Sequence, residues 1–395
     1  MTNPEDTTPD DTHTGRYLVL LEDDAAAAGT RELNRIAGIR VASTAEAAAT
    51  DFPAPDGVVL HRLGVAVVDA DPDQVSALSR AVDEPGPIAA LEAERRVFAI
   101  SAAAEAAPVP EVDQSVFTWG LQAVGAPGSQ ATGAGVRIAV LDTGFDAEHP
   151  EFAGRAVTTT SFVTGETAAD GHGHGTHCIG TAAGPRQPGG GPGYGLAYEA
   201  EIFAGKVLSN AGSGADGGIL SGIAWAVSNN VHVVSMSLGA AVAPGTPYSQ
   251  TYERVASRAL AQGTLIVAAA GNESRRQDGL IAPVGHPANC PSVLAVGAID
   301  VTGTLGWFSC GTVDNIGAVD VVAPGVDVYS SWPRPKLHNT ISGTSMATPH
   351  VAGVAALLAQ ATGARGWALW ARLEQLARRL ALPSTDVGAG LVQAP

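Results

Sequence analysis

Residues 119–395 alternate short apolar runs with segments that are long enough to form helices. Short uninterrupted apolar runs are typical of strands buried on both faces, and parallel neighbours need a helix-length crossover between them. This alternation predicts an α/β fold, with a largely parallel central sheet and helices on both faces. The predicted strands are 138–141, 202–207, 231–236, 265–269 and 293–296, and the predicted helices are 217–228 and 252–261.

Residues 16–100 show a second, smaller pattern. Asp71, Pro72 and Gln74 have the spacing of a helix start, in which Asp71 caps the helix and proline takes the first helical position. The apolar runs around this helix give a β-α-β-β-α-β order, which is typical of a small ferredoxin-like α+β domain. The predicted strands are 17–21, 39–41, 65–68 and 88–91, and the first helix is predicted near 32–36.

The chain of 395 residues is long enough for two domains, since single domains commonly have about 50–250 residues. Residues 1–15 are polar and acidic, and we predict a disordered tail there. Residues 101–118 are rich in Ala, Pro and Glu, which favours a linker. The predicted organisation is a tail, a small domain over 16–100, the linker, and a large domain over 119–395.

Composition argues against two kinds of partner. The 22 basic and 39 acidic residues give a net charge of −17, and no run of Lys or Arg is present, so no nucleic-acid partner is expected. No apolar run approaches the length of about 18 residues that spans a bilayer, so no membrane partner is expected. The acidic start of the chain shows no signal peptide. The compartment stays open between the cytoplasm and export by another route.

Three short stretches, far apart in the sequence, carry an aspartate, a histidine and a serine. They are Val-Leu-Asp-Thr-Gly around Asp142, His-Gly-Thr-His from His174, and Gly-Thr-Ser-Met-Ala-Thr-Pro-His around Ser345. A serine hydroxyl becomes a strong nucleophile when an imidazole takes its proton, and a buried carboxylate orients that imidazole. Asp142 also ends a predicted strand, where the active sites of such sheets lie. The three residues are therefore candidates for a catalytic triad.

Two groups near Ser345 are candidates to stabilise an oxyanion. Ser345 precedes the apolar helical run 351–358, which predicts that it lies in the first turn of a buried helix. First-turn amides have no partner within their helix, so the Ser345 N–H is free to donate. Asn272 directly follows the predicted strand 265–269, where its side-chain amide can face the same oxyanion.

In this order, the Asp142, His174 and Ser345 motifs resemble those of the subtilisin-like serine proteases, and the resemblance extends over residues 119–393. It implies a serine endopeptidase that hydrolyses peptide bonds through an acyl-enzyme, with Asn272 as the side-chain oxyanion donor. It also implies a polypeptide substrate and chemistry that requires no cofactor. The expected molecule is a monomer.

The same resemblance assigns the first specificity pocket. Ser237, Leu238 and Gly239 resemble the strand that forms one wall of this pocket, and Gly285 resembles its floor. A glycine floor leaves room for a large side chain. We therefore expect a large apolar residue before the scissile bond.

Residues 16–100 resemble the inhibitory propeptide of these proteases. The resemblance implies that segment 97–100 lies in the cleft, that it pairs with an edge strand at Ser213 and Gly214, and that Ile100 fills the first pocket. The chain would then be a zymogen whose own N-terminal domain is its inhibitor. Autocatalytic cleavage is expected after Ile100 or within the linker.

A metal-dependent alternative comes from the spacing of His172, His174 and His177. This spacing resembles the metal-binding opening of metallo-β-lactamase-like hydrolases. Thr176, however, stands where that family needs an aspartate. Metal is therefore not expected from this cluster.

Structural calcium and disulfide pairing both stay open. Glu151 matches one calcium ligand of the subtilisin-like family, whereas loop 184–195 lacks the asparagine expected there. Cys178 resembles a buried thiol beneath the catalytic histidine of some relatives. By the same resemblance Cys290 and Cys310 fall in neighbouring loops, but spacing alone decides neither their connectivity nor their redox state.

Two other functions compete with a general endopeptidase. One is a peptide-binding protein without catalysis, in which the N-terminal domain never leaves the cleft. The other is a dedicated maturation protease or peptide ligase that acts on one precursor, which the missing signal peptide favours. The complete set of catalytic residues argues against lost chemistry, whereas release of the N-terminal domain is not visible in the sequence.

Overall fold

The computed structural model describes residues 12–43, 56–100, 102 and 112–395. Residues 1–11 of the predicted tail and 103–111 of the predicted linker lie outside the described residues. Residues 13–15, which the prediction placed in the tail, instead begin a strand, since His13 pairs with Arg95.

The N-terminal unit combines one sheet with two helices, and its small core lies between them. The second helix begins at the predicted capping box, in which Asp71 and Gln74 each accept a hydrogen bond from the other's backbone N–H, at 2.8 and 2.9 Å. The sheet order is β5-β1-β4-β3-β2. The elements are β1 (His13–Leu21), α1 (Ala26–Ala37), β2 (Val41–Ser43), β3 (Gly57–Leu60), β4 (Val65–Asp69), α2 (Pro72–Val82) and β5 (Ile88–Ala99).

The second strand of this unit differs from the prediction. In chain order the strand before β4 is β3, which pairs antiparallel with it, whereas segment 39–41 was predicted for that place. The predicted segment only overlaps the start of β2, a short edge strand that pairs parallel with β3. Gly57–Leu60 is itself a short apolar run, so its signal was present in the sequence. Choosing between two such runs requires knowledge of which one pairs with β4.

The large unit contains a seven-stranded sheet in the order β14-β13-β12-β10-β6-β8-β7, and every neighbouring pair is parallel. This confirms the predicted α/β fold. The strands are β6 (Arg137–Asp142), β7 (Val157–Ser161), β8 (Glu201–Lys206), β9 (Ser213–Ala215), β10 (Val233–Met236), β11 (Leu238–Gly239), β12 (Leu265–Ala269), β13 (Leu294–Ile299), β14 (Val321–Pro324), β15 (Val328–Ser331) and β16 (His338–Ile341).

Helices flank this sheet, and two of them carry predicted catalytic residues. Helix α7 is buried along most of its length and packs on β10, β12, β13 and β14 and against α4, while α5 and α6 pack elsewhere on the sheet. None of the helices in the described part of the chain is both long and apolar enough to cross a bilayer. The helices are α3 (Trp119–Ala123), α4 (His174–Ala183), α5 (Asp216–Ser228), α6 (Gln250–Ala261), α7 (Thr344–Thr362), α8 (Gly366–Leu376) and α9 (Ser384–Val387).

Strand β5 joins the two units. Its first half pairs with β1 in the N-terminal sheet, and its second half runs antiparallel to both β9 and β11 of the large unit. The end of the N-terminal unit is therefore held as a strand between two strands of the large unit.

Candidate active site

Asp142 is the last residue of β6, at the carboxyl end of the parallel sheet. Its side chain is buried, and its Oδ1 accepts a hydrogen bond from the Thr143 N–H at 2.7 Å. The carboxylate therefore has a defined orientation before any partner side chain is considered.

His174 is the first residue of α4 and lies against Asp142. Its Nδ1 is 2.8 and 3.0 Å from the two carboxylate oxygens of Asp142. Burial disfavours the charged imidazole, but the adjacent Asp142 carboxylate outweighs it and holds the pKa of His174 well above its ordinary value. The other ring nitrogen, Nε2, is buried and has no hydrogen-bond partner.

Ser345 lies in the first turn of α7, where the sequence predicted it. Its Oγ donates a hydrogen bond to the Ser237 carbonyl at 3.0 Å. Cys178 lies between the histidine and the serine, since its Sγ is 3.8 Å from Nδ1 of His174 and 3.5 Å from the carbonyl oxygen of Ser345. The thiol is buried, as the resemblance implied.

Asn272 follows β12 and is oriented by the residue that precedes Ser345. Its Oδ1 accepts hydrogen bonds from the backbone N–H and the hydroxyl of Thr344, at 2.9 and 2.8 Å. Because the oxygen is committed to Thr344, the Nδ2 group must point the other way, and it is buried without a partner. Thr344 was not singled out in the sequence, although it stands directly beside the serine.

Strand β9, the predicted edge strand, pairs with the end of the N-terminal unit. Ser213 pairs with Phe98 and Gly214 with Val97, and Ala99 donates from its N–H to Gly212 at 2.8 Å. Side chains alternate along this segment, with Val97 fully buried and Phe98 half exposed.

On the opposite side, Leu238 pairs with Ala99 and Gly239 with Phe98. Ile100 lines a cavity of about 920 Å³ whose wall includes Gly239 and Asn272. Segment 97–100 thus lies between the two predicted substrate-binding strands.

Of the four predicted pocket residues, Gly239 lines the cavity, whereas Ser237, Leu238 and Gly285 do not. Ser237 is buried, and its hydroxyl donates to the Ser345 carbonyl at 2.8 Å. Gly285 is also buried, and its N–H donates to the Ala270 carbonyl at 2.9 Å. A Cβ atom on Gly285 would lie 2.9 Å from the carbonyl oxygen of Ala240, so the backbone passes too closely there for a side chain.

The position that resembles a calcium ligand is occupied by protein groups. Glu151 Oε2 accepts hydrogen bonds from the Tyr194 hydroxyl and from Nε2 of His338, the latter at 3.0 Å. The ring of His338 stacks on Tyr329, with ring centroids 5.2 Å apart. A carboxylate oxygen with two protein donors and an imidazole beside it does not fit a calcium ion.

The three histidines of the metal-dependent alternative have different surroundings. His177 Nε2 donates to the Val328 carbonyl at 3.0 Å, and the ring of His172 lies 6.2 Å from that of His174. Within the described ranges, the group with ligand atoms close enough to share a metal is Asp142, His174 and Cys178, which includes neither outer histidine of the motif.

The two remaining cysteines do not pair with each other. Both are buried free thiols. The Cys310 Sγ lies 3.1 Å from the Glu273 carboxylate, and the Cys290 Sγ lies 3.7 Å from the Ser249 carbonyl. The structure therefore resolves the open question in favour of two separate thiols.

The general class of this protein is an α/β protein with a parallel sheet, whose candidate site carries an aspartate, a histidine and a serine at one end of that sheet. Sequence comparison then gives the family. The model of the Subtilase family matches residues 133–390, and the chain belongs to this family.

Similar curated proteins include Subtilisin-like protease 2 of Pseudogymnoascus destructans, 41% identical over 258 residues that cover 62% of this chain and 59% of that protein. Subtilisin NAT of Bacillus subtilis subsp. natto is 41% identical over 254 residues, 63% of this chain and 62% of that protein. M-protease of Shouchella clausii is 41% identical over 281 residues, 70% and 67% of the two chains. The chain thus spans less than two thirds of the length of the first two relatives.

Proposed function

We propose that this chain is a serine endopeptidase made as a self-inhibited precursor, in which Ser345 is the nucleophile and His174 the base. The supporting observation is a pair of orphaned atoms. Buried polar atoms without partners are rare in proteins, and among the six such side-chain atoms in the described residues are Nε2 of His174 and Nδ2 of Asn272. In the neutral imidazole the first can take a proton, and the second can donate to an oxyanion, as peptide hydrolysis requires.

The reaction follows from these positions. Ser345 Oγ attacks the scissile carbonyl as its proton passes to Nε2 of His174, and Asp142 holds the imidazole through Nδ1 and stabilises the cation. The oxyanion accepts from Nδ2 of Asn272 and from the Ser345 N–H. The same imidazole then protonates the leaving amine, and water cleaves the acyl-enzyme by the reverse sequence.

The path of the chain supports self-cleavage after Ile100. Residues 97–99 pair with β9 and β11, and after Ile100 the Ala102 N–H donates to the Ser342 carbonyl at 2.9 Å. Main-chain contacts therefore hold the chain at residues 97–99 and again at Ala102, whose partner Ser342 lies two residues before the start of α7. Binding an extended peptide as an added strand is a common mode of peptide recognition.

Contacts outside the cleft support an inhibitory role for the N-terminal unit. Glu94 is fully buried and accepts from the Gly217 N–H at 2.8 Å, near the start of α5. Glu92 accepts from the Thr251 N–H at 3.1 Å, near the start of α6. Carboxylates near helix N-termini are stabilised by the unpaired amides and the helix dipole. With this unit in place, Ser345 is fully buried.

The test compares the full chain with its Ser345→Ala variant. Intact-mass measurement after incubation is expected to show cleavage after Ile100 or within 101–118 in the first protein only. A fluorophosphonate is expected to label Ser345 once the cleft is open. Full peptidase activity in the folded alanine variant would contradict the proposal, and a zinc-reversible loss on chelation would favour the metallohydrolase.

The same measurements separate the remaining alternatives. If the N-terminal unit permanently seals the cleft, no Ser345-dependent mature form appears. A separate alternative is that the unit plays no part in folding. In that case, deletion of residues 1–100 would leave the folding yield unchanged. A maturation protease or ligase would cleave or join one precursor and leave a panel of unrelated peptides intact, whereas a general endopeptidase would cleave many of them.

A further inference from the structure

Asp170, in the loop before His174, is a buried carboxylate that the proposed chemistry does not use. Its Oδ1 accepts from the Thr143 hydroxyl at 2.9 Å and from the N–H groups of His172 and Gly173 at 3.0 and 2.7 Å. Its Oδ2 accepts from the N–H and the hydroxyl of Thr176, at 2.8 and 2.7 Å. The residue is only 8% exposed, and each of its oxygens has at least two donors.

Asp170 supplies the cap that helix α4 lacks. The capping position is Gly173, which has a φ of 107° and no side chain to accept the first amides of the helix. Those amides find acceptors elsewhere, since the Thr176 N–H donates to Asp170 and the Gly175 N–H donates to the Thr143 hydroxyl oxygen at 2.8 Å. The start of α4 is thus tied to the residue that follows β6.

The Thr143 hydroxyl connects these contacts to Asp142. A hydroxyl has one proton, and in Thr143 that proton goes to Asp170, so only its lone pairs remain for the Gly175 N–H. The N–H of the same threonine donates to Asp142 Oδ1 at 2.7 Å. One short network therefore joins the strand end that carries the aspartate to the helix start that carries the histidine.

We propose that Asp170 is a positioning residue for peptide hydrolysis, which sets the imidazole of His174 against Asp142 through Thr143 and the start of α4. The inference rests on the proposed function, because it concerns the rate of that reaction. Asp170 touches neither the edge strands nor the cavity beside Ile100, so substrate binding does not depend on it.

The variant Asp170→Asn keeps the size of the side chain but removes its charge and replaces one acceptor by a donor. Wherever its NH2 group points, it meets a backbone N–H that cannot rotate away. For the processed enzyme and a peptide p-nitroanilide, we expect kcat to fall on the order of 10²-fold, as for a displacement of about 1 Å in an active site. We expect KM to stay within about twofold, because no substrate contact is lost.

The pH profile separates positioning from a loss of stability. The titratable groups that face His174 are Asp142, Cys178, His172 and His177. If the imidazole is displaced from Asp142, the imidazolium is less favoured, so the acid limb of kcat/KM is expected to move to lower pH. The matched control is Asp320→Asn, a partly buried carboxylate, whose Oδ2 accepts from the Ala295 N–H at 2.7 Å away from the site. It should leave both kcat and the acid limb unchanged.

The Thr143 variants test whether Asp170 acts through the Thr143 hydroxyl. Thr143→Val removes the hydroxyl at nearly constant volume and is expected to lower kcat as Asp170→Asn does, while Thr143→Ser keeps the hydroxyl and should restore the rate. If Asp170→Asn does not fold, the comparison of Thr143→Val with Thr143→Ser tests the inference by itself. A wild-type kcat and acid limb in folded Asp170→Asn, or equal rates in the valine and serine variants, would overturn the inference. Absence of Ser345-dependent turnover in the unmodified enzyme would overturn the proposed function, and this inference with it.

Discussion

Ser345 and Ser237 are joined by two hydrogen bonds that run in opposite directions. The Ser345 hydroxyl donates to the Ser237 carbonyl at 3.0 Å, and the Ser237 hydroxyl donates to the Ser345 carbonyl at 2.8 Å. The proton of the proposed nucleophile is therefore directed away from His174, whose Nε2 is unpaired. Before attack, Ser345 Oγ has to rotate about χ1 and donate to the imidazole.

Ser237→Ala tests how far this pair positions the nucleophile. It removes the bond to the Ser345 carbonyl and leaves the Ser237 carbonyl in place, so the start of α7 loses one buried contact worth about 1 kcal/mol. We expect kcat for a peptide p-nitroanilide to fall roughly fivefold. The control is Ser235→Ala in the adjacent strand β10, whose hydroxyl is buried without a partner. Equal rate losses in the two variants would argue against a specific role for Ser237.

Asn272→Ala tests the oxyanion donor. In the proposed reaction its unpaired Nδ2 stabilises charge that develops only in the transition state, so kcat should fall far more than KM changes. A loss of about 10²–10³-fold is the size known for removal of such a donor from a subtilisin. Thr344→Val should give a smaller loss in the same parameter, because it removes one of the two hydrogen bonds that orient the amide oxygen, whereas Thr344→Ser should not. Unchanged turnover in Asn272→Ala would remove this residue from the site.

Buried neutral histidines predict a loss of stability in acid. Burial lowers the pKa of His177 to about 3 and that of His350 to about 4, below the ordinary value of 6.5. The unfolded chain takes up these protons below pH 6.5 and the folded chain does not. The free energy of unfolding should therefore fall as the pH drops from 6.5 towards 4, by up to about 1.4 kcal/mol per pH unit for each histidine.

Urea unfolding of the Ser345→Ala chain measures this slope without self-digestion. His350→Gln should reduce the slope, because the unfolded chain then binds one proton fewer. His13→Gln, at an exposed position, should not change it. A slope that is the same in all three proteins would contradict the prediction.

The contacts of Glu151 predict that this position does not bind calcium. Glu151→Gln weakens the bonds from Tyr194 and His338 and is expected to cost about 1.5–3 kcal/mol of unfolding free energy, as for bonds to a charged group. Glu201→Gln, which breaks a half-exposed pair with Arg137, should cost at most about 1 kcal/mol. Added calcium should change the melting temperature of the Ser345→Ala chain no more than it changes that of the same chain carrying Glu151→Gln. If calcium stabilises the chain and Glu151→Gln abolishes that stabilisation, this position binds calcium.

The architecture of the large unit was predictable because its signals are local. Buried parallel strands are short apolar runs, and the start of helix α7 is marked by Gly343 before Ser345 and by an apolar run after it. The capping box at Asp71 was equally visible, since its two partners are three residues apart. The second strand of the N-terminal unit was not predictable, because two apolar runs, 39–41 and 57–60, both fit the position before β4.

Sequence alone therefore determined which residues are candidates for catalysis and roughly where each lies on its strand or helix. Only the tertiary structure decided their hydrogen-bond partners. Ser345 donates to a carbonyl 108 residues away, Glu151 accepts from a histidine 187 residues away, and Asp170 joins β6 to α4. Such partners depend on how distant segments pack, and the one proton of a hydroxyl or the two oxygens of a carboxylate are assigned only once that packing has formed.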